Sequence, residues 1–262
     1  MIDPSTAVGT GLAILGSKDV LNKLLGPTAD YVGGEAAGFI KKCNINLDGI
    51  FQKAVRKLGT KIEDPGSVSP RVLRHIIDDG RFCEDELAAE YYGGLLAGSR
   101  EPTGKDDRCL PYISRVKAMS VLQIRAHFAI YYSLLRLHKD SNINLGLSSE
   151  VSKAGLLLPH EFLASLFPPQ QNNRYWGTMT HVVVGLSSDD LIRNYAYGSK
   201  NDLEGRFPSA DADGVYVEPT FFGAELFMWA LGVEYATAHE FFKIDIEEID
   251  PVIAIPASAR RK

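Results

Sequence analysis

The stretch that most constrains the fold is "DDGRFCEDELAAEYYGGLLAGSR", residues 78–100, which begins acidic and ends in glycine and alanine. Leu87, Tyr91 and Leu95 recur at helical spacing, and this pattern predicts a helix from about residue 84 to 98. Its first turns carry carboxylates that complement the positive end of the helix dipole, namely Glu84, Asp85, Glu86 and Glu90. Its end carries small residues that allow close approach of another helix, namely Gly93, Gly94, Ala97 and Gly98. We therefore expect tight helix-on-helix packing; the alternative is that the acidic start forms a binding face.

Further helical patterns occupy the rest of the first half of the chain. Amphipathic stripes predict helices over residues 46–59, 70–79, 112–119 and 120–139. Ser69 and Ser120 stand at N-cap positions, and Pro70 suits the first helical turn because its missing N–H would have no partner there. These patterns predict an amino-terminal helical domain.

From residue 151 the pattern changes to shorter elements. A short helix is predicted after Pro159, followed by helices over residues 175–187 and 188–198, the latter capped by Ser188. A polar loop, a strand-like run "VYVEPT" and an amphipathic helix over residues 219–232 follow. The fold class predicted is mainly α: an amino-terminal helical domain followed by a winged-helix-like carboxyl half with a small β-hairpin.

The predicted organisation has three parts. Residues 1–118 form the helical domain, residues 119–245 the winged-helix-like domain, and residues 246–262 a loose tail in which "VIAI" is a candidate edge strand. At 45% hydrophobic and 23% charged residues, the 262-residue chain has the composition of a globular protein.

Charge and cysteine content indicate the class and the compartment. The net charge of −5 disfavours a dedicated nucleic-acid binder, although it permits a local basic patch. The three cysteines, Cys43, Cys83 and Cys109, form no CxxC pair, which predicts reduced thiols rather than disulfides or zinc ligands. Residues 1–16 lack the basic start of a secretory signal, and their apolar run is too short to span a bilayer. We expect a cytoplasmic protein.

No catalytic constellation is apparent. The six histidines form no HExxH motif, "DADG" at 211–214 lacks the other ligands of a calcium loop, and "GTGLAILG" at 9–16 lacks phosphate-loop spacing. Cys83 lies ahead of a helix, but the neighbouring carboxylates oppose a stabilised thiolate. We therefore predict no catalytic residue, no metal, no cofactor and no enzymatic activity.

A winged helix binds either DNA or protein. Four residues of the carboxyl half are candidates for nucleic-acid or partner contact: Arg193, Asn194, Lys200 and Arg206. The tail residues Arg260, Arg261 and Lys262 are further candidates for phosphate contact. Asp189 and Asp190 would lie at the start of the predicted recognition helix and repel a phosphate backbone. Protein contact is therefore favoured over DNA contact.

Four stretches resemble the Abi-alpha family of bacterial proteins: "LLGPTADYVGGEAAGFIKKCNINLDGIFQKAVRKLG", "VSPRVLRHIIDDGRFCEDELAAEYYGGLLAGSR", "LPYISRVKAMSVLQIRAHFAIYYSLL" and "VYVEPTFFGAELFMWALG". The resemblance is strongest over residues 24–137, and residues 138–218 depart from it. It implies a mostly helical prokaryotic cytosolic protein that is linked by name to abortive phage infection, and it transfers no catalytic residue.

Three functional hypotheses follow. The first is a non-enzymatic interaction or sensor protein of bacterial anti-phage defence, whose partner is another protein of the host or the phage, or a second copy of the chain. The second is a DNA-binding regulator that acts through its carboxyl half. The third is a membrane-acting effector that uses residues 5–40, which are rich in glycine, alanine and other apolar residues.

Overall fold

The computed structural model describes Lys23, residues 45–139, 141–167 and 175–245, together with Ile249, Ile253, Ala259, Arg260 and Arg261. The predicted membrane-contact helix over residues 5–40 lies, Lys23 aside, outside the described residues, as do Cys43 and Lys262. Of the candidate edge strand "VIAI", only Ile253 is described.

The helices and strands, in chain order, are α1 (Ile45–Leu58), α2 (Pro70–Gly80), α3 (Glu86–Gly98), α4 (Leu110–Ala118), α5 (Val121–His138), α6 (Ser148–Val151), β1 (Leu156–Pro159), α7 (His160–Leu166), α8 (Tyr175–Ser188), β2 (Ile192–Gly198), α9 (Lys200–Leu203), β3 (Gly214–Pro219), α10 (Phe221–Ala230) and β4 (Arg260–Arg261). Three 3₁₀ helices cover Gly59–Glu63, Ser152–Ala154 and Ala238–Lys243. The predicted mainly helical class is confirmed, and where a small β-hairpin was predicted the structure has a small antiparallel sheet.

The described residues group into two compact units. Unit 1 contains those up to Ala118 together with Trp229–Tyr235, and unit 2 contains Met119–Met228 and those from Ala236 onward. The division into domains 1–118, 119–245 and 246–262 stays a prediction about which parts fold on their own.

Helix α3 is the centre of unit 1, and every residue from Leu87 to Gly98 is buried. A methyl group on Gly94 would lie 1.9 Å from the carbonyl oxygen of Ala230, and one on Gly93 would lie 2.7 Å from Cβ of Lys53. Both positions therefore exclude a side chain, which confirms the close helix approach predicted from the small residues.

The ends of two helices are fixed by capping side chains. The Asp85 carboxylate accepts hydrogen bonds from the backbone N–H groups of Leu87 and Ala88, which start α3. At α5, Ser120 and Gln123 form a reciprocal capping box, as the position of Ser120 predicts. Ser69 occupies the N-cap position of α2, but its side chain makes no capping bond there.

Unit 2 is built on an antiparallel sheet with the strand order β2-β3-β1-β4. Strand β3 lies in the middle and is buried on all six residues. It pairs with β1 through Leu156↔Val217 and with β2 through Ile192↔Pro219. Within the tail predicted to be loose, β4 extends the sheet by pairing with Leu156–Leu157.

Residues 188–198 were predicted to form a helix, and this prediction is wrong. Ser188 ends α8 instead of starting a new helix, and Asp190 adopts a left-handed φ of 57° that turns the chain into β2. The strand is irregular between Arg193 and Ala196, where Asn194 also has a positive φ of 47°. Tyr195 and Tyr197 favour a strand, and pairing with β3 decides the outcome.

The connection between β2 and β3 has a small core of its own. Leu203, Phe207 and Ala210 are buried in one cluster with Leu157 and Tyr216 of the sheet. The segment predicted to be a polar loop is therefore folded back onto the sheet, with α9 at its start.

The helical core of unit 2 contains buried polar side chains that bind backbone groups. The Tyr131 hydroxyl donates to the carbonyl oxygen of Leu191 at 2.7 Å and accepts from the N–H of Thr220 at 3.0 Å. His127 Nε2 lies 3.1 Å from the carbonyl oxygen of Gly223, to which it donates. These bonds tie α5 to the start of α10.

Candidate partner-binding face and cleft

Buried charge in unit 1 is neutralised by partners within that unit. The side chain of Glu90 is 6% exposed, and its carboxylate pairs with Lys57 at 2.9 Å, with Lys53 at 3.7 Å and with Arg56. Lys53 also pairs with Glu86 at 2.5 Å. Glu90 is thus an internal ion-pair partner rather than a surface carboxylate at a helix start, which corrects the role predicted for it.

The cations outweigh the cost of burying Glu90. Burial alone would raise the pKa of its carboxyl, but Lys57 and Arg56 lower it below the ordinary value. The pKa of Lys57 is also lowered, because burial and the neighbouring cations Arg56 and Lys53 outweigh the attraction of Glu90. Three cations facing one carboxylate keep Glu90 in its charged form.

Arg100 is a second buried cation of unit 1. Its guanidinium donates to the carbonyl oxygens of Lys61 at 3.1 Å, Ile62 at 3.3 Å and Asp64 at 2.5 Å, and Nε donates to that of Lys23 at 2.9 Å. These bonds satisfy carbonyl groups at the end of a 3₁₀ helix. The arrangement is structural and offers no site for chemistry.

The described cysteines carry protonated thiols at neutral pH. Burial, with a further contribution from Asp85, raises the pKa of Cys83 to about 11, and burial raises that of Cys109 to about 12. Across the described part of the chain, no group of three His, Cys, Asp or Glu side chains is placed to hold a metal ion. Nor does any helix there have the length and apolar character needed to cross a membrane.

Two of the four predicted contact residues converge on a carboxylate of the sheet. Asn194 donates to Glu218 at 2.8 Å, and Arg193 Nε lies 3.4 Å from the same oxygen. Glu218 is 5% exposed and also accepts from the Tyr216 hydroxyl, so it holds Arg193 and Asn194 against the sheet. The role of these two residues in partner contact stays a prediction.

The other two predicted contact residues lie on the β2–β3 connection, and both are exposed. The backbone N–H of Lys200 donates to Asp213 at 2.8 Å, and Arg206 follows α9. In the tail, the Arg261 guanidinium donates to the carbonyl oxygen of Leu137 at 3.3 Å.

Helix α8 presents an uncharged outer face, which we define as Trp176, Thr180, His181 and Val184. The sequence of α8, "YWGTMTHVVVGLSS", has no Lys, Arg, Asp or Glu. Its opposite side is buried in unit 2 through Met179, Val182, Val183 and Leu186. On the outer face Trp176 is 47% exposed and Val184 is 39% exposed. A large ring and a branched side chain thus face outward with no charge beside them on the helix.

One end of this face opens into a cleft of about 860 Å³ within unit 2. The cleft is lined by Pro159, His160, Glu161, Trp176, Gly198, Ser199, Ala212 and Asp213. We call it the Trp176 cleft. It contains two carboxylates, Glu161 and Asp213, and no Lys or Arg is among these lining residues.

His160 and Trp176 form the aromatic wall of the Trp176 cleft, and the Tyr175 ring packs against both of them. The ring centroids of His160 and Tyr175 lie 4.3 Å apart edge to face, and those of His160 and Trp176 lie 5.7 Å apart. The Tyr175 hydroxyl donates to the carbonyl oxygen of His160 at 3.3 Å, and burial raises the pKa of Tyr175 to about 12. The backbone N–H of His160 donates to the carbonyl oxygen of Asp213, which fixes the floor of the cleft.

Sequence reasoning did not identify the outer face of α8 or the Trp176 cleft. The helix was predicted, but its period-3.6 pattern has two apolar sides, and nothing in the sequence tells which side is buried. The absence of charge over the 14 residues of α8, with a tryptophan at its second position, is the one signal that pointed there.

Comparisons with family models, with curated proteins and with solved structures each gave no match for this chain. The resemblance to the Abi-alpha family therefore stays a prediction.

Proposed function

We infer that this chain is a non-enzymatic interaction protein whose carboxyl half is a winged-helix variant that binds another protein through the outer face of α8. The observation that carries this proposal is the uncharged, partly apolar character of that face. Exposed tryptophan and branched apolar side chains are typical of protein interfaces.

The order of elements in unit 2 supports the winged-helix assignment. Helix α5 is followed by the short helix α6, strand β1, helices α7 and α8, strand β2, a long connection and strand β3. The sheet order is β2-β3-β1-β4. A winged helix is a helix pair followed by a β-hairpin, and the second helix of the pair makes the specific contacts. In this assignment α8, rather than residues 188–198, takes the recognition position.

The chemistry of α8 favours protein over DNA. DNA recognition draws on cationic side chains for the phosphates and on Arg, Lys, Asn or Gln for the bases. Helix α8 has none of these residues, and the nearby Arg193 and Asn194 are engaged with Glu218. A DNA-binding regulator is therefore the second candidate only.

The biological setting of the proposal is bacterial anti-phage defence, with a host or phage protein as the partner. This part rests on the resemblance of residues 24–137 to the Abi-alpha family. The membrane-acting alternative rests on residues 5–40 and is tested separately, by flotation of the pure protein with anionic vesicles.

Site-specific photo-crosslinking tests the proposed function. A photo-reactive phenylalanine derivative is placed at Val184, on the outer face of α8, and at Lys243, an exposed control position of the same unit. In phage-challenged cells we expect a discrete protein adduct from position 184 and none from 243. The adduct should disappear when Trp176 is changed to Asp.

Two results would overturn the proposal. One is the same set of adducts from both positions, which would indicate nonspecific contact. The other is a salt-dependent gel shift of duplex DNA that is lost on substitution of exposed α8 residues, which would establish the DNA-binding alternative.

A further inference from the structure

The Trp176 cleft combines two features that recognise a cation. Its aromatic wall exposes nearly half of the Trp176 surface, and indole is the side chain whose face attracts cations best. Glu161 and Asp213 line the same cleft, and both are exposed residues. Among the described residues, Glu161 has no ion-pair partner.

Two exposed aromatic rings of unit 1 are each covered by an arginine side chain of the same chain through a cation–π contact. The Arg81 guanidinium carbon lies 4.8 Å from the ring centroid of Phe82, and that of Arg108 lies 5.2 Å from the ring centroid of Tyr235. Phe82 is 74% exposed and Tyr235 is 56% exposed. Within the described residues, no such guanidinium covers the ring of Trp176.

The volume of the cleft is large enough for one extended side chain. About 860 Å³ exceeds the volume of a single arginine and leaves room for the adjoining backbone. A guanidinium is planar, stacks on an indole and pairs with carboxylates through its N–H fork, whereas an ammonium is a compact, strongly hydrated charge.

We propose that the Trp176 cleft binds an arginine side chain of the partner protein, with the guanidinium against Trp176 and its N–H groups directed to Glu161 and Asp213. The inference rests on the proposed function, because it names the chemistry by which the partner of the α8 face is recognised. The outer face supplies apolar contact, and the cleft selects a positively charged anchor beside it.

Titration of the full-length ¹⁵N-labelled protein with a blocked Gly-Arg-Gly peptide tests the cleft directly. The matched control peptide carries citrulline, which has nearly the shape of arginine but no charge. We expect the arginine peptide to shift the indole N–H signal of Trp176, one of two tryptophans in the chain, together with the amides of Gly198 and Ser199. The citrulline peptide should bind at least about five-fold more weakly.

Single substitutions test the carboxylate contact and the aromatic contact of the cleft separately. Glu161→Gln and Trp176→Leu should each lower the affinity for the arginine peptide by about two- to five-fold. The affinity is measured from the shifts of the amide signals of Gly198 and Ser199. Glu240→Gln, at an exposed carboxylate outside the cleft, should leave the affinity unchanged. A lysine peptide should bind more weakly than the arginine peptide.

Equal binding of the arginine and citrulline peptides would overturn the inference, as would unchanged affinity in both cleft variants. Failure of the inference is distinguishable from failure of the proposed function. If position 184 still crosslinks to a protein while the peptides do not discriminate, only the arginine anchor is wrong. If the peptides discriminate but position 184 gives no adduct, the α8 interface is wrong.

Discussion

The two compact units differ in where their distinctive side chains find partners. In unit 1 the buried charges of Glu90 and Arg100 are satisfied by groups of the same unit, and the glycines of α3 allow close backbone contact. In unit 2 the buried polar groups His127 and Tyr131 are held neutral against backbone atoms. On the outer face of α8, Trp176 and Val184 are exposed to solvent, and His181 Nε2 lies 3.2 Å from the Ser120 hydroxyl oxygen.

This difference indicates a division of tasks. Residues that stand out in the sequence of unit 1, such as the acidic start and glycine-rich end of α3, serve folding. Residues that are inconspicuous in the sequence of unit 2, such as Trp176 and Val184, form an exposed surface of that unit. Four measurements test this difference between the two units.

The largest expected effect comes from Gly94→Ala in unit 1. Because the added methyl group would lie 1.9 Å from a backbone oxygen, the backbone itself must move, and we expect a loss of about 4 kcal/mol in the free energy of unfolding. Urea unfolding measures this loss. The control is Gly49→Ala in α1, where no atom lies within 4 Å and the change should stabilise by about 0.5–1 kcal/mol. Equal effects would refute the close packing.

Glu90→Gln should give the next largest effect. The substitution leaves the buried Lys57 without its carboxylate partner and Lys53 with Glu86 alone, and we expect a loss of about 3 kcal/mol in the free energy of unfolding at pH 7. Glu86→Gln is the control, because the Glu86 side chain is 70% exposed and its ion pair should contribute less than about 1 kcal/mol. A smaller loss for Glu90 than for Glu86 would show that the buried cluster does not stabilise unit 1.

Between pH 6.5 and 5, stability should be lost through a buried histidine of unit 2 and not through the buried carboxylate of unit 1. Burial lowers the pKa of His127 to about 3 from an ordinary value of 6.5, so the unfolded chain takes up a proton first as pH falls. Stability present above pH 6.5 is then lost by about 1.4 kcal/mol per pH unit, or about 2 kcal/mol between pH 6.5 and 5. Glu90, whose pKa is depressed below an ordinary value of 4.5, loses its contribution only below this window.

Unfolding at pH 7, 6 and 5 checks the acid prediction. His138, whose pKa burial lowers to about 4, adds a second contribution of the same sign, so His127→Gln should retain about half of the pH dependence. A His127→Gln variant with the full dependence would contradict the prediction.

The smallest expected effect on stability comes from a substitution on the outer face of α8. Val184→Ser on the outer face of α8 should change the free energy of unfolding by no more than about 0.5 kcal/mol. The adjacent Val183→Ser should cost about 2 kcal/mol or more, because Val183 is 4% exposed. Thermal or urea unfolding of the pair measures which side of α8 belongs to the core. Equal costs would remove the argument for a free face.

Local patterns predicted most helices of the described chain, and the reasons are visible in particular residues. The capping box of Ser120 with Gln123 and the proline at the start of α2 are local signals that the tertiary structure leaves in place. The helix predicted over residues 188–198 was wrong because the acidic pair Asp189-Asp190 resembles a helix start. In the structure Asp190 has a left-handed φ, and the following residues pair with β3 in a sheet.

The candidate site was less predictable than the fold. Arg193 and Asn194 were selected for their chemistry, but Glu218, 24 residues after Asn194, engages both of them. The Trp176 cleft joins residues from β1, α7, α8 and the β2–β3 connection, which only the folded sheet brings together. Its assembly depends on long-range pairing that no local pattern encodes.

The contact between Gly94 and the Ala230 carbonyl also bears on how this chain has evolved. Since no side chain fits between them, an alignment of homologues should keep glycine at this position even where the outer face of α8 has diverged. Conservation of this glycine across distant orthologues, together with frequent substitution of the tryptophan of α8, would indicate a conserved scaffold with a rapidly evolving surface.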